Sequence, residues 1–148
     1  MKRRAIKQRF EFSGDLKDDD ILIGSYGDAV VNIEGTFDLA GTIYCPKYSV
    51  TLFIKGNGKA TFRGKCDRVI IKRMEGNCIL DLSELTSKEL QCISIKGQSR
   101  IITGKTRLIS QANLSDEAVL ELGRNPLVTK SSISGKSRIV PHGTEVLT

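Results

Sequence analysis

The sequence is poor in the residues that build most metal and cofactor sites. Its 148 residues include no tryptophan and one histidine, and only 5% are aromatic. None of its four cysteines belongs to a Cys-x-x-Cys pair. Because zinc and haem attachment sites use such pairs or several histidines, neither site is indicated. We therefore predict no catalytic residues, no metal site and no cofactor, and we expect free, mostly buried thiols at Cys45, Cys66, Cys78 and Cys92.

Long apolar runs are also missing. No segment approaches the length of a membrane-spanning helix, and the N-terminal region lacks the apolar run of about 7 to 15 residues that a secretory signal contains. As given, the chain is predicted to be cytoplasmic without a membrane span, or an envelope or secreted protein if a signal has been removed. Part of the formal charge of +6 lies in MKRRAIKQR, residues 1–9, which we interpret as a basic tail or cap.

Glycine, by contrast, is abundant, with 14 residues against three prolines. An apolar-x-Gly motif recurs along the chain at intervals of 19 to 21 residues. Its third residue, here called the anchor, is glycine in six copies and aspartate in one, and aspartate is among the few other residues that tolerate a left-handed backbone. The anchors are Gly14, Gly35, Gly56, Gly76, Gly97, Asp116 and Gly135.

Two apolar columns accompany the anchors. The residue two before the anchor is apolar in all seven copies, and segments such as VVNIEG and CISIKG alternate with the period of a strand. The residue four after the anchor is apolar in six copies, namely Leu39, Ala60, Leu80, Ile101, Leu120 and Ile139.

A repeat of this length without helical periodicity predicts an all-β fold. We expect a right-handed parallel β-helix, or β-solenoid, of about seven turns with roughly 20 residues per turn. The alternative is an antiparallel sandwich, which the constant spacing disfavours. The solenoid domain is predicted at residues 10–143 and a C-terminal tail at 144–148. A second glycine after most anchors predicts a second corner per turn, at Gly24, Gly41, Gly64, Gly104, Gly123 and Gly143.

The C-terminal half contains the turns SIKGQSRI and SISGKSRI, and over residues 92–140 it resembles the GIN domains, also called putative auto-transporter adhesin head domains. That resemblance implies a right-handed β-helix. The apolar-x-Gly recurrence with flanking polar tails also resembles the bactofilins, which implies a cytoplasmic scaffold that polymerises end to end. Neither resemblance implies an enzymatic site.

Two short motifs match the end of a phosphate-binding P-loop. They are Gly104-Lys105-Thr106 and Gly135-Lys136-Ser137. A P-loop also needs a glycine five residues before its Gly-Lys pair and a strand-to-helix connection, and both motifs lack that glycine. We interpret them as solenoid corners.

Carboxylates are concentrated at two places. The run Asp18–Asp20 could hold a cation, but calcium sites gather oxygens from spaced positions, so we interpret the run as a solvated turn. The loop 81–89 contains Asp81, Glu84 and Glu89, and it is the best candidate for paired-carboxylate sugar chemistry. The simpler interpretation is a short bulge whose leucines point inward. His142 has no partner for acid–base catalysis nearby in the sequence.

The basic residues do not form an uninterrupted stripe. The position three residues after the anchor is basic in four of the seven copies, at Lys17, Lys59, Arg100 and Arg138. In the other three copies it is acidic once and apolar twice. Because stacking aromatics are missing from the polar positions, the sequence does not favour nucleic acid as a partner.

Our first functional hypothesis is a non-enzymatic structural or scaffold protein that self-associates, end to end or as a dimer, or displays a rigid binding surface. Only thirteen residues, without a capping helix, follow Gly135, while Ile133 and Ile139 are predicted to point inward. The alternatives are an envelope adhesin-like domain that binds carbohydrate or another protein, and a carbohydrate-active enzyme that uses the 81–89 carboxylates.

Overall fold

The computed structural model describes residues 8–24, 27–123 and 126–141. Every regular element in those three ranges is a β-strand. The strands are β1 (Gln8–Gly24), β2 (Ala29–Asp81), β3 (Leu85–Ile95), β4 (Arg100–Ile102), β5 (Lys105–Leu114), β6 (Val119–Leu122), β7 (Leu127–Val128), β8 (Ser131–Ile133) and β9 (Arg138–Pro141).

All strand pairs are parallel, and each joins residues about one repeat apart. Ile101, for example, lies between Leu80 of the preceding turn and Leu120 of the following one. Neighbouring parallel strands at this constant separation require the chain to coil, with each turn stacked on the one before. The fold is a parallel β-solenoid with about 20 residues per turn, as predicted, and it has about six turns, close to the predicted seven. We call each turn a row.

The anchors form a column in which the rows approach closely. All seven have positive φ, from 59° at Asp116 to 131° at Gly56. A Cβ atom on Gly56 would lie 2.0 Å from the carbonyl oxygen of Gly35 in the row before, so no other residue fits there. Asp116 accepts a hydrogen bond from the Gly97 N–H through Oδ2 at 3.0 Å, which offsets its backbone strain. The predicted role of the anchors is confirmed.

The two apolar columns line the core of the solenoid. Met74, Ile95 and Leu114 are neighbours in the column before the anchors, and all three are buried. Leu80, Ile101 and Leu120 are neighbours in the column after them and are fully buried. Burying one such side chain stabilises the fold by roughly 1.5–3 kcal/mol, so the columns contribute to the stability of the solenoid.

The second glycines lie at different registers in different rows. Gly41 lies against Ile21 of the row before, whereas Gly64 lies against Ile43. A Cβ on either glycine would meet that backbone at 2.0 to 2.2 Å, so both are close-approach positions. The second corner therefore forms no single column, and Gly143 lies outside the described residues.

The last row is more exposed than the inner rows. Ile133 continues the column through Leu114, but 42% of it is exposed, and Ile139 is half-buried. Within the described chain no further row lies over them. Ile133 therefore continues the predicted inward column, and it is exposed because it lies where that column ends.

Candidate functional site

The predicted loop 81–89 is a tight turn rather than a protruding cleft wall. Residues 82–84 connect β2 to β3, and Asp81 Oδ1 accepts a hydrogen bond from the Ser83 N–H at 3.0 Å. Leu82 and Leu85 are buried on either side of the turn. The inward-pointing leucines match the simpler interpretation of this segment.

Glu89 is held by neighbours in its own row and in the two adjoining rows. Its Oε1 lies 3.4 Å from Arg68 Nε, and its Oε2 accepts hydrogen bonds from Gln91 Nε2, at 2.9 Å, and from Ser110 Oγ. Glu84 is exposed on the turn. The contacts of Asp81 and of Glu89 are with different neighbours, and none of them joins any two of the three carboxylates as a catalytic pair.

The two P-loop-like motifs lie on the solenoid wall, with their hydroxyls turned inward. Thr106 Oγ1 shares a 3.0 Å hydrogen bond with Ser87 Oγ, and both side chains are buried. Ser137 Oγ donates to the Leu114 carbonyl at 3.1 Å. A P-loop would aim these hydroxyls at a phosphate and its magnesium ion. The motifs stabilise contacts between rows.

The aspartate run lies at an irregularity of β1. The register with β2 shifts between Asp18 and Ile21, and the Asp20 N–H donates to Asp18 Oδ1 at 2.9 Å. Across the described residues, no three His, Cys, Asp or Glu side chains are grouped as a metal site. His142 lies outside the described residues.

All four cysteines are buried and none of them forms a disulfide, as predicted. Burial raises the pKa of the thiols from an ordinary 9.0 to about 12 at Cys66, about 11 at Cys78 and about 12 at Cys92. The thiolate is the reactive form of cysteine, so these side chains serve as small apolar core residues.

The two end rows carry opposite net charges. The first row, β1, contains five carboxylates and two cations, a net charge of −3. The last row, residues 126–141, contains Lys130, Lys136 and Arg138 and no carboxylate, a net charge of +3. Sequence reasoning missed this asymmetry because it compared columns along the solenoid, whereas the signal lies within rows.

Both end rows also present the ends of the core columns. Phe10, Phe12 and Leu16 of the first row are only partly buried against the core. At the other end Ile133 is 42% exposed. Among the described strands, β1 pairs only with β2, while β7 and β8 pair only with β5. One backbone edge of each end row is therefore unpaired within the described chain.

A groove of about 500 Å³ lies along the side of the solenoid. One wall is the column Lys65, Thr86 and Lys105, which pair in register across β2, β3 and β5. The other wall contains Lys88 and Arg107, two residues further along β3 and β5. We call these five residues the cationic groove. Its four cations are all exposed.

Comparisons of the chain with protein-family models, with curated proteins and with solved structures gave no match. Within the described residues no helix is long and apolar enough to cross a membrane. The two ends of the solenoid and the cationic groove are its candidate functional surfaces.

Proposed function

We propose that this protein is a structural scaffold that associates with copies of itself, with the last row of one copy stacked on the first row of the next. The observation that carries the proposal is that the two end rows have opposite net charges, −3 and +3, and that each has a strand edge with no partner among the described residues. An unpaired strand edge is a template for another strand, and unlike charges favour the head-to-tail encounter over the head-to-head one.

The register of the rows supports this arrangement. The column that begins at Phe12 ends at Ile133, so a second copy continuing the repeat would place its Phe12 on Ile133. Stacking would then bury the surface that both side chains expose at the ends of a single copy. The residue after the anchor is Asp15 in the first row and Lys136 in the last, so the same stacking sets these opposite charges side by side.

One column opposes the arrangement. Lys17 of the first row and Arg138 of the last occupy the same position after their anchors, and stacking would bring like charges together. Asp18 follows Lys17 directly, and Asp19 and Asp20 extend the acidic surface. With five carboxylates against two cations in β1, the net interaction between the ends is attractive.

Stacking of this kind joins two different surfaces, so it does not close on itself. A heterologous contact with the rotation and rise of a solenoid turn produces an open filament rather than a ring. Each added copy presents the same free +3 end as the one before, and growth is limited by concentration and by salt.

Light scattering over a concentration series tests the proposal. At low salt we expect the wild-type mass to rise above the 16.3 kDa of one chain, and to fall back toward it in about 0.5 M salt, where the screening length is only a few ångströms. Ile133→Asp should abolish the rise, because it charges the end of the core column.

The matched control is Ile79→Asp. Ile79 is exposed to 36%, close to the 42% of Ile133, but it lies on the side of an inner row. We expect this variant to associate as the wild type does, with both variants melting cooperatively. A wild-type mass that stays at one chain at every concentration, or equal loss in both variants, would overturn the proposal.

The scaffold proposal develops the bactofilin resemblance. Membership of the bactofilins or of the GIN domains remains a prediction, as do the envelope adhesin role and carbohydrate or another protein as partner. The carbohydrate-active enzyme remains a prediction too, and the contacts of Asp81 and Glu89 do not favour it.

A further inference from the structure

We infer that the cationic groove binds the phosphate backbone of a single-stranded nucleic acid. This inference does not depend on self-association, because the groove lies on inner rows and remains open at the side of a stacked filament. The sequence did not favour nucleic acid, because the cations looked scattered along the columns and we took the polar positions to lack stacking aromatics. In the folded chain four of them come together.

The groove has the width of one extended single strand of nucleic acid. Side chains two residues apart on a β-strand are about 7 Å apart on the same face, which sets the separation of the two walls. The column from Lys65 to Lys105 crosses three rows spaced about 4.8 Å apart, so it runs about 10 Å along the solenoid. A single backbone can lie between such walls, whereas a duplex is too wide to enter them.

The charge of the groove is nearly uncompensated. Asp67 is the carboxylate in contact with it, at 3.5 Å from Lys88 Nζ, and Lys88 is highly exposed. Elsewhere on the surface cations face acids in the next row, as Lys55 faces Glu75 at 3.6 Å. Repulsion among the four cations of the groove lowers the stability of the folded protein. A polyanion bound along the groove neutralises these charges and removes the repulsion.

An exposed aromatic ring extends the Lys65 column. Gly64 lies against Ile43 of the row before, so the next residues, Lys65 and Tyr44, are neighbours on the outer face. Tyr44 is 59% exposed. A cationic track next to an exposed aromatic ring is the arrangement on which single strands bind, with phosphates on the cations and a base stacked on the ring. An anionic membrane would not require such a narrow groove.

Fluorescence anisotropy with a fluorescein-labelled dT12 oligonucleotide tests the inference. If about three phosphates are neutralised, the affinity should fall about 20-fold between 50 and 200 mM salt, since the logarithmic slope is near −0.7 per phosphate for single strands. Lys105→Gln with Arg107→Gln should weaken binding at least about tenfold at low salt and flatten the slope by about 1.4. Tyr44→Leu should weaken it at least about fivefold.

The control is a double variant that removes the same number of positive charges at another place on the surface. Lys59→Gln with Lys96→Gln removes two exposed cations outside the groove and should alter affinity by less than about twofold. Equal losses in the two double variants would overturn the inference, because they would reflect overall charge alone.

Three further arms identify the ligand. A 12-base-pair duplex, heparin and phosphatidylserine vesicles should each bind more weakly than dT12, and without dependence on the Lys105 and Arg107 substitutions. Groove-dependent binding that is tighter for any of the three would overturn the assignment to a single strand. Circular dichroism of each variant confirms that the solenoid is intact before binding is measured.

Discussion

At the scale of single residues, Asp116 shows how the chain accepts a non-glycine anchor. Its backbone has the left-handed φ of 59°, and its Oδ2 accepts the Gly97 N–H at 3.0 Å. The sequence predicted the backbone role from the position alone. It could not predict the hydrogen bond, because that depends on a residue 19 positions earlier being stacked directly beneath.

Substitutions at Asp116 separate its left-handed backbone conformation from its side-chain hydrogen bond. Asp116→Ala keeps the strained backbone and loses the hydrogen bond, so we expect a loss of about 1–3 kcal/mol in the free energy of unfolding. Asp116→Asn tolerates the left-handed region and keeps an acceptor oxygen, so its loss should stay below about 1 kcal/mol. Urea denaturation measures both, and equal losses would contradict the role of the hydrogen bond.

The buried thiols lead to a prediction about pH. Burial raises the pKa of Cys92 to about 12 from 9.0, so the folded state keeps a proton that the unfolded state loses in alkaline solution. The contribution to stability is complete below pH 9 and is lost as the pH rises from about 9 toward 12.

A comparison with Cys92→Ala isolates that thiol from the lysines and tyrosines that titrate in the same range. Between about pH 8.5 and 10.5 the wild type should lose about 2 kcal/mol more unfolding free energy than the variant. Parallel declines in urea denaturation would contradict the assignment. In the native state Ellman's reagent should react slowly with all four thiols, and rapidly once urea unfolds the chain.

At the scale of the repeat, the anchor column was predictable because it depends on local backbone geometry and a constant period. The cationic groove was not. Lys65, Thr86 and Lys105 stand nine, ten and eight residues after their anchors, so comparison at a fixed distance from the anchor misaligns them. The rows differ in length between the anchor and the groove, and only strand pairing shows which residues are neighbours.

Two glycine substitutions distinguish close packing from backbone strain. Gly14 and Gly56 both have positive φ, at 101° and 131°, so alanine is strained at either position. A Cβ on Gly14 meets nothing within 4 Å, whereas one on Gly56 would lie 2.0 Å from the Gly35 oxygen. We expect Gly14→Ala to cost about 1–3 kcal/mol and Gly56→Ala more than about 4 kcal/mol. Similar urea midpoints for the two variants would contradict the stacking of the anchors.

At the scale of the whole molecule, the two end rows of the solenoid carry opposite net charges, −3 in β1 and +3 in residues 126–141. The seven residues before Gln8 add four cations to the sequence and lie outside the described residues. Deleting residues 1–7 therefore tests which surface attracts the +3 end. If the carboxylates of β1 do so, light scattering should show association at least as strong as in the full chain, and loss of association would assign the contact to the basic segment.

The most direct test of head-to-tail stacking is a charge exchange between the two ends. Asp15→Lys with Asp19→Lys changes the first row from −3 to +1, and Lys136→Glu with Arg138→Glu changes the last row from +3 to −1. In either variant the ends that would stack on each other carry charge of the same sign, so each should remain monomeric at low salt. Mixed in equal amounts, every end finds an opposite partner, and light scattering should show the mass rise again. A mixture that stays monomeric, or single variants that associate as the wild type does, would contradict the account.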